Sequence, residues 1–255
     1  MTAVCGRFVS TSPPDEIAKY FGAEVDERLA DPEGPNYNVA PTQDVYAVLE
    51  DGGVRRVESL HWGLIPFWAK EAKIGNKMIN ARAETIATSG AFKHAFKQRR
   101  CIIPADGFYE WTKPGAQRPG AKPQERKSSG QAKKQPWFIH RPDDEPIAFA
   151  GLWEVWRPKG SEDELVSCTI ITGEPNDKMA ELHHRMPVML PPDAWDKWLD
   201  RDEQDTEALG QFLVPAPSSL ITFHPVSTEV NNARNQGEHL MDPIDLDEPP
   251  ELTEA

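Results

Sequence analysis

Short runs of alternating apolar and polar residues, broken by Gly and Pro, recur along most of this chain. Period-2 runs of that length predict strands rather than helices. Phe8-Val9-Ser10 reads as the end of a short strand. Val45–Leu49 and Val54–Val57 flank Asp51-Gly52-Gly53, which is a hairpin signal. Asn36–Thr42 is bracketed by Pro35 and Pro41, so it should be extended and rigid. Trp137-Phe138-Ile139, Ile147–Trp153, Leu165–Ile171 and Ile221–Val226 read as further strands. Helical spacing is rarer. Ser12-Pro13-Pro14-Asp15-Glu16 leads into Ile17–Phe21 and stops at Gly22, and Phe92 and Phe96 sit at i, i+4. Pro191-Pro192-Asp193 opens a helix carrying Trp195, Trp198 and Leu199. The pattern predicts one α+β domain built on an antiparallel, barrel-like β-sheet with a few peripheral helices.

Composition adds polar segments to that picture. At 255 residues and 38% hydrophobic, the chain can bury a full core yet carries much polar sequence. Residues 113–135 are Lys-, Pro-, Gly-, Ser- and Gln-rich and predict a flexible insertion. The acidic stretch after Gly237 predicts disorder. The expected organisation is a domain over residues 1–237 and a disordered tail over 238–255. No apolar run is long enough to span a membrane and no signal-peptide pattern opens the chain, so the expectation is a cytoplasmic, monomeric protein, nucleoid-associated if bacterial.

Charge and cysteine usage narrow the chemistry. The net charge of −13 argues against tight, sequence-independent duplex binding, although basic residues cluster between Thr112 and Pro136. The three cysteines, Cys5, Cys101 and Cys168, are widely spaced and form no CxxC pair. Neither a disulfide framework nor a structural zinc site is expected. Cys101 and Cys168 sit beside isoleucines and read as buried.

Cys5-Gly6-Arg7-Phe8 is the stretch with distinctive chemistry. A cysteine whose own nitrogen is the chain terminus is a 1,2-aminothiol. Its amine condenses with an aldehyde, and its thiol then closes a five-membered thiazolidine. Glu110, set among aromatics in Cys101–Trp111, is a carboxyl expected to be desolvated and suited to proton transfer. Trp62, Phe67 and Trp68 read either as core aromatics or as a surface that stacks unpaired bases. Asn80, Arg82 and Glu84 would share one face if that segment stays extended. Of the adjacent His183 and His184, at most one can face a site.

Seven motifs, in order, resemble the SRAP family, the SOS-response-associated peptidases or abasic-site processing proteins. They are Cys5–Phe8, Asn36–Gln43, Trp62–Trp68, Asn80–Glu84, Cys101–Trp111, Gly151–Glu154 and His183–Leu190. The resemblance implies a DNA-repair protein that binds abasic sites in single-stranded DNA and forms a covalent thiazolidine with the opened sugar, without metal or organic cofactor. Cys5 would supply amine and thiol. Asn38 would orient the nucleophile, Glu110 would shuttle protons and His183 would assist sugar ring opening. Arg7, Asn80, Arg82 and Arg185 would contact DNA, and Trp62 and Trp68 would wedge and stack bases.

Two departures stand out. His184 occupies a place where the family usually has aspartate. Met1-Thr2-Ala3-Val4 precedes Cys5, whereas the family typically begins Met-Cys. Initiation at Val4, or self-cleavage before Cys5, would each expose the aminothiol. Two other functions compete with crosslinking. One is a thiol hydrolase or autopeptidase using Cys5, His183 and Glu110; for the crosslinking protein itself the resemblance implies DNA lyase and thiol autopeptidase activity as further expectations. The other is a non-covalent reader of single strands.

Overall fold

The computed structural model describes residues 5–29, 34–112 and 134–246. The chain opens with β1 (Phe8–Ser10), α1 (Pro14–Phe21), β2 (Glu24–Val25) and β3 (Asn36–Val39). A long hairpin follows, β4 (Asp44–Asp51) and β5 (Val54–Trp62), then β6 (Asn80–Arg82) and α2 (Lys93–Gln98). The middle of the chain supplies β7 (Arg100–Ala105), β8 (Gly107–Thr112), β9 (Gln135–His140), β10 (Ile147–Trp156) and β11 (Leu165–Gly173). Then come α3 (Asp177–Ala180), β12 (Met186–Pro187), α4 (Trp195–Leu199), α5 (Thr206–Gly210) and β13 (Thr222–Pro225).

The expected turns form where their chemistry demands. Asp51 pairs with Val54, leaving Gly52 and Gly53 as a two-residue loop with φ of 59° and 78°. Positive φ at both positions is a tight turn whose twist matches the flanking strands. Pro14 begins α1, and Gly22 ends it in the left-handed region.

Five strands close a barrel. β4 pairs with β5 and β7, β7 with β10, and β10 with β11, all antiparallel. The ring is completed by a parallel pairing of β11 with β5, Ser167 opposite His61 and Cys168 opposite Trp62. β2 on β5 and β6 on β11 are also parallel. The barrel of the sequence reading is present, and it is mixed rather than wholly antiparallel. A second, antiparallel sheet runs in the order β13-β9-β8-β1-β3.

The two sheets meet in one apolar cluster. Phe8 of β1 packs edge-on against Trp62 at 5.1 Å and Phe149 at 6.3 Å, and Phe108 meets Phe149 at 5.7 Å. All four rings are fully buried. Burying each of them stabilises the fold by about 1.5–3 kcal/mol. This cluster fixes β1, and with it Cys5, against the barrel.

Three boundaries differ from the sequence reading. Gln135 belongs to β9, so the insertion is shorter than 113–135, and residues 113–133 lie outside the described residues. Residues 238–246 are ordered: Leu240 is fully buried, Ile244 N donates to Pro225 O, and Met241 O accepts from His224. Leu240, with Met241 and Leu246 partly buried against the core, anchors this acidic strap, and the rest of the expected tail, residues 247–255, lies outside the described residues. The extended run from Asn80 stops at Arg82, and Glu84 lies on a 3-10 turn.

Candidate active site and nucleic-acid interface

Cys5 lies three residues before Phe8, the first residue of β1, and Glu110 lies near the end of the neighbouring β8, where Phe8 pairs with Phe108. That pairing brings residues 105 apart in sequence into contact. The Cys5 backbone N–H donates to Glu110 Oε1 at 2.7 Å, and the Trp111 N–H reaches Oε2 at 3.4 Å. Glu110 is 3% exposed and Cys5 is fully buried. Burial pushes the Glu110 carboxyl up to about 7, against the pull of the Cys5 and Trp111 N–H groups and of Lys134. The carboxyl can therefore hold or release a proton near neutral pH. The Cys5 thiol is pushed well above its ordinary value, first by burial and then by Glu110. Cys5 also adopts φ +49°, a left-handed conformation that residues with a Cβ rarely take.

The histidine pair divides as adjacency requires. α3 is capped by Asn176, whose side chain accepts from Met179 N at 2.8 Å, and Met179 O receives the His183 N–H at 2.9 Å. His183 is thereby turned inward and buried, while His184 is exposed, its ring tilted on that of His183 at 4.4 Å. His183 Nδ1 accepts from Arg185 N at 3.2 Å. In the neutral ring this leaves the proton on Nε2.

Asn38 and Arg7 are held differently from the sequence expectation. Asn38 is fully buried, and its Oδ1 accepts from Arg7 Nη1 at 2.7 Å. Its Nδ2 group donates to the carbonyls of Val230, Asn232 and Asn235 at 3.0–3.2 Å. Arg7 also donates to Val230 O and Asn231 O. The amide and guanidinium are thus committed to the segment 230–236. Their place in the site is to hold that loop beside β8, where Trp111 Nε1 donates to Asn231 Oδ1 at 2.6 Å. The sequence reading missed this loop. Its signal is the run Asn231-Asn232-Ala233-Arg234-Asn235-Gln236, dense in side chains that bond to backbone.

The remaining candidates split. Trp62 cannot stack on bases: it is fully buried, packed on Phe8, with Nε1 bonded to Ile79 O at 3.0 Å. Trp68 is half exposed, as is Phe67. Arg82 is exposed and Asn80 half-buried on β6, beside β11. Arg185 forms a two-pronged ion pair with Glu84 at 2.8 and 3.0 Å and also donates to Thr172 O. Among the described residues, no group of three or more His, Cys, Asp or Glu could hold a metal ion. No helix among them is long and apolar enough to cross a membrane.

The family model described as SOS response associated peptidase (SRAP) matches residues 4–233. The chain belongs to the SRAP family. Abasic site processing protein YoqW of Bacillus subtilis is 40% identical over 243 residues, covering 94% of this chain and 99% of that protein. Abasic site processing protein YedK of Escherichia coli is 31% identical, covering 94% and 100%. Abasic site processing protein HMCES of Gallus gallus is 34% identical, covering 86% and 69%. The SRAP fold is also matched by a solved structure of a protein from Bacteroides thetaiotaomicron. It has a TM-score of 0.78 at 22% identity and covers 94% of this chain and all of that one. The YoqW, YedK and HMCES relatives carry the name of abasic-site processing across bacteria and a vertebrate.

Proposed function

We propose that this SRAP protein captures abasic sites in single-stranded DNA as a covalent thiazolidine on Cys5, shielding the lesion from strand cleavage. The observation that carries the reading is the buried 2.7 Å contact between the Cys5 nitrogen and Glu110 Oε1. In a chain that begins at Cys5 this nitrogen is an α-amine, ordinarily titrating near ~8. Glu110 takes a proton from the ammonium, and the free amine adds to the sugar aldehyde. The same carboxyl returns the proton as hydroxide departs as water, leaving an imine. The thiol then adds to the imine carbon: a C–S bond forms, the C=N π pair takes up a proton, and the ring closes. The net change is aminothiol plus aldehyde to thiazolidine plus one water. In this reading His183, with its proton on Nε2, assists opening of the closed sugar.

The same features weigh against a thiol hydrolase. A hydrolytic cysteine works as thiolate and needs its pKa depressed. Here burial and a carboxylate push it up. An imine carbon is electrophilic enough for a thiol that gives up its proton as it adds.

Exposure of the amine requires that Met1–Val4 be absent from the working protein. Initiation at Val4 followed by removal of that residue supplies it, and so does self-cleavage before Cys5. The test is to prepare the chain from Cys5 onward and acylate its α-amine while leaving the thiol free. Crosslinking to single-stranded DNA with one abasic site should be abolished. Undiminished crosslinking after acylation would overturn the reading.

A further inference from the structure

The side chain of His184 is exposed, and among the described residues it makes neither a hydrogen bond nor an ion pair. Its one specific contact is with the ring of His183, at 4.4 Å between centroids and 33° between planes. The backbone on either side imposes that contact. Before it, Leu182 N and His183 N both donate to Met179 O at 2.9 Å, which ties the chain to α3. After it, Arg185 is pinned by Glu84 and by Thr172 O. Met186 then pairs with Gly173 of β11, and Asn176 N donates to Met186 Sδ at 3.2 Å. Fixed at both ends, the bend at His184 lays the outer imidazole against the inner one.

The His183 ring gains a defined plane from this stack. Its Nδ1 accepts from Arg185 N at 3.2 Å, at the long end of the hydrogen-bond range. A bond at a ring nitrogen fixes a point on the ring rather than its plane, and the histidine χ2 well is broad. A second ring against its face supplies the missing restraint. Proton transfer needs the donor within hydrogen-bond reach of the reacting atom. A misplacement of about 1 Å can cost about 10²-fold in rate.

We propose that His184 is a positioning residue for sugar opening: its ring, stacked on His183, holds that imidazole in the plane from which Nε2 serves the closed sugar. His184 touches no reacting atom itself. This role rests on that of His183 in the reading above.

Two variants separate the ring from its chemistry. His184→Ala removes the stacked ring, and His184→Phe keeps a flat ring that cannot carry a proton. Both change an exposed side chain, so folding is not at stake. Heteronuclear NMR of the nitrogen-labelled full chain reads His183 directly and needs no DNA. With the proton held on Nε2, the two ring nitrogens of His183 give separate signals. His184→Ala should draw them together, because a ring that rocks loses the Arg185 N bond that fixes its tautomer, and His184→Phe should keep them apart. Crosslinking is then followed on chains that begin at Cys5. His184→Ala should slow the saturating rate on the closed abasic sugar about tenfold, short of the about 10²-fold loss for His183→Ala. Its rate on an open-chain aldehyde and its affinity for the oligonucleotide should hold. His184→Phe should recover the rate to within about twofold, and His184→Ala should add nothing in a His183→Ala background. Unchanged ring signals in His184→Ala would overturn the proposal. So would a His184→Phe variant as slow as His184→Ala, which makes the imidazole itself the reacting group. A loss confined to affinity would overturn it too, and would make His184 a DNA contact. If no chain crosslinks, the Cys5 reading falls, and the ring signals still decide whether His184 holds His183.

Discussion

Arg7 and Asn38 converge on one carbonyl. Arg7 Nη1 and Asn38 Nδ2 both donate to Val230 O, at 2.9 and 3.2 Å, while the two side chains bond to each other at 2.7 Å. Burial lowers the Arg7 pKa, so the partners that satisfy it matter. Asn38→Ala removes an acceptor for that guanidinium and three donations to the loop. The expected cost is about 2–4 kcal/mol by thermal or urea unfolding. DNA affinity should fall more than the saturating crosslinking rate, because Asn38 acts through the loop. A collapse of the saturating rate with stability intact would make Asn38 a catalytic residue.

Glu110 makes stability depend on pH in an uncommon direction. Its folded pKa, about 7, lies above its ordinary value of 4.5. The folded state therefore binds the proton more tightly than the unfolded chain. The stabilisation from protonation is whole below pH about 4.5 and is lost as pH rises towards 7. Over that window the full chain should lose on the order of 3 kcal/mol relative to Glu110→Gln. Urea unfolding at pH 4.5, 6 and 8 measures the slope. A chain starting at Cys5 places an ammonium on the carboxyl, which pulls the pKa down and should flatten the same curve.

His183→Ala should slow crosslinking to the closed abasic sugar by about 10²-fold, the lower range for a lost general acid or base. An oligonucleotide bearing an open-chain aldehyde should react with this variant at nearly the unmodified rate. Equal slowing on both substrates would place His183 in imine or ring formation instead.

Glu84→Gln frees Arg185 from its two-pronged ion pair. The pair is partly exposed, so the stability cost should be below about 1 kcal/mol. Arg185 holds the Glu84 carboxyl below its usual range, so the contribution is present above pH about 4.5 and fades as pH falls. If Arg185 contacts phosphate, releasing it should raise DNA affinity at low salt, whereas Arg185→Gln should lower it.

Local chemistry made much of this fold legible. The Gly52-Gly53 turn, the Pro14 start and Gly22 stop of α1, and the extended Asn36–Val39 follow from backbone preferences of a few residues. The site was legible at Cys5 and Glu110 because the first is unusual and the second is a carboxyl among aromatics. That only one of His183 and His184 turns inward also follows from adjacency. Non-local choices were not legible. Trp62 sits in a motif that reads equally well as surface or core, and its burial depends on Phe8 meeting it across two sheets. The parallel closure of β5 on β11 joins residues 106 apart, as in Ser167 with His61, and no local signal specifies it. Arg100 looks like the basic end of α2, yet it is buried and pushed down to about 10, bonded to carbonyls of Phe96, Lys97, Trp198 and Glu203. The strap at 238–246 reads as acidic tail because its few apolar anchors are spaced among aspartates and glutamates.

The most direct test of the central claim is intact-protein mass spectrometry after incubation with single-stranded DNA carrying one abasic site. The account predicts an adduct equal to chain plus DNA less one water, found on chains that begin at Cys5 and not on chains that retain Met1–Val4. An adduct of that mass on chains retaining those four residues, or none on chains that begin at Cys5 with the abasic site intact, would contradict it.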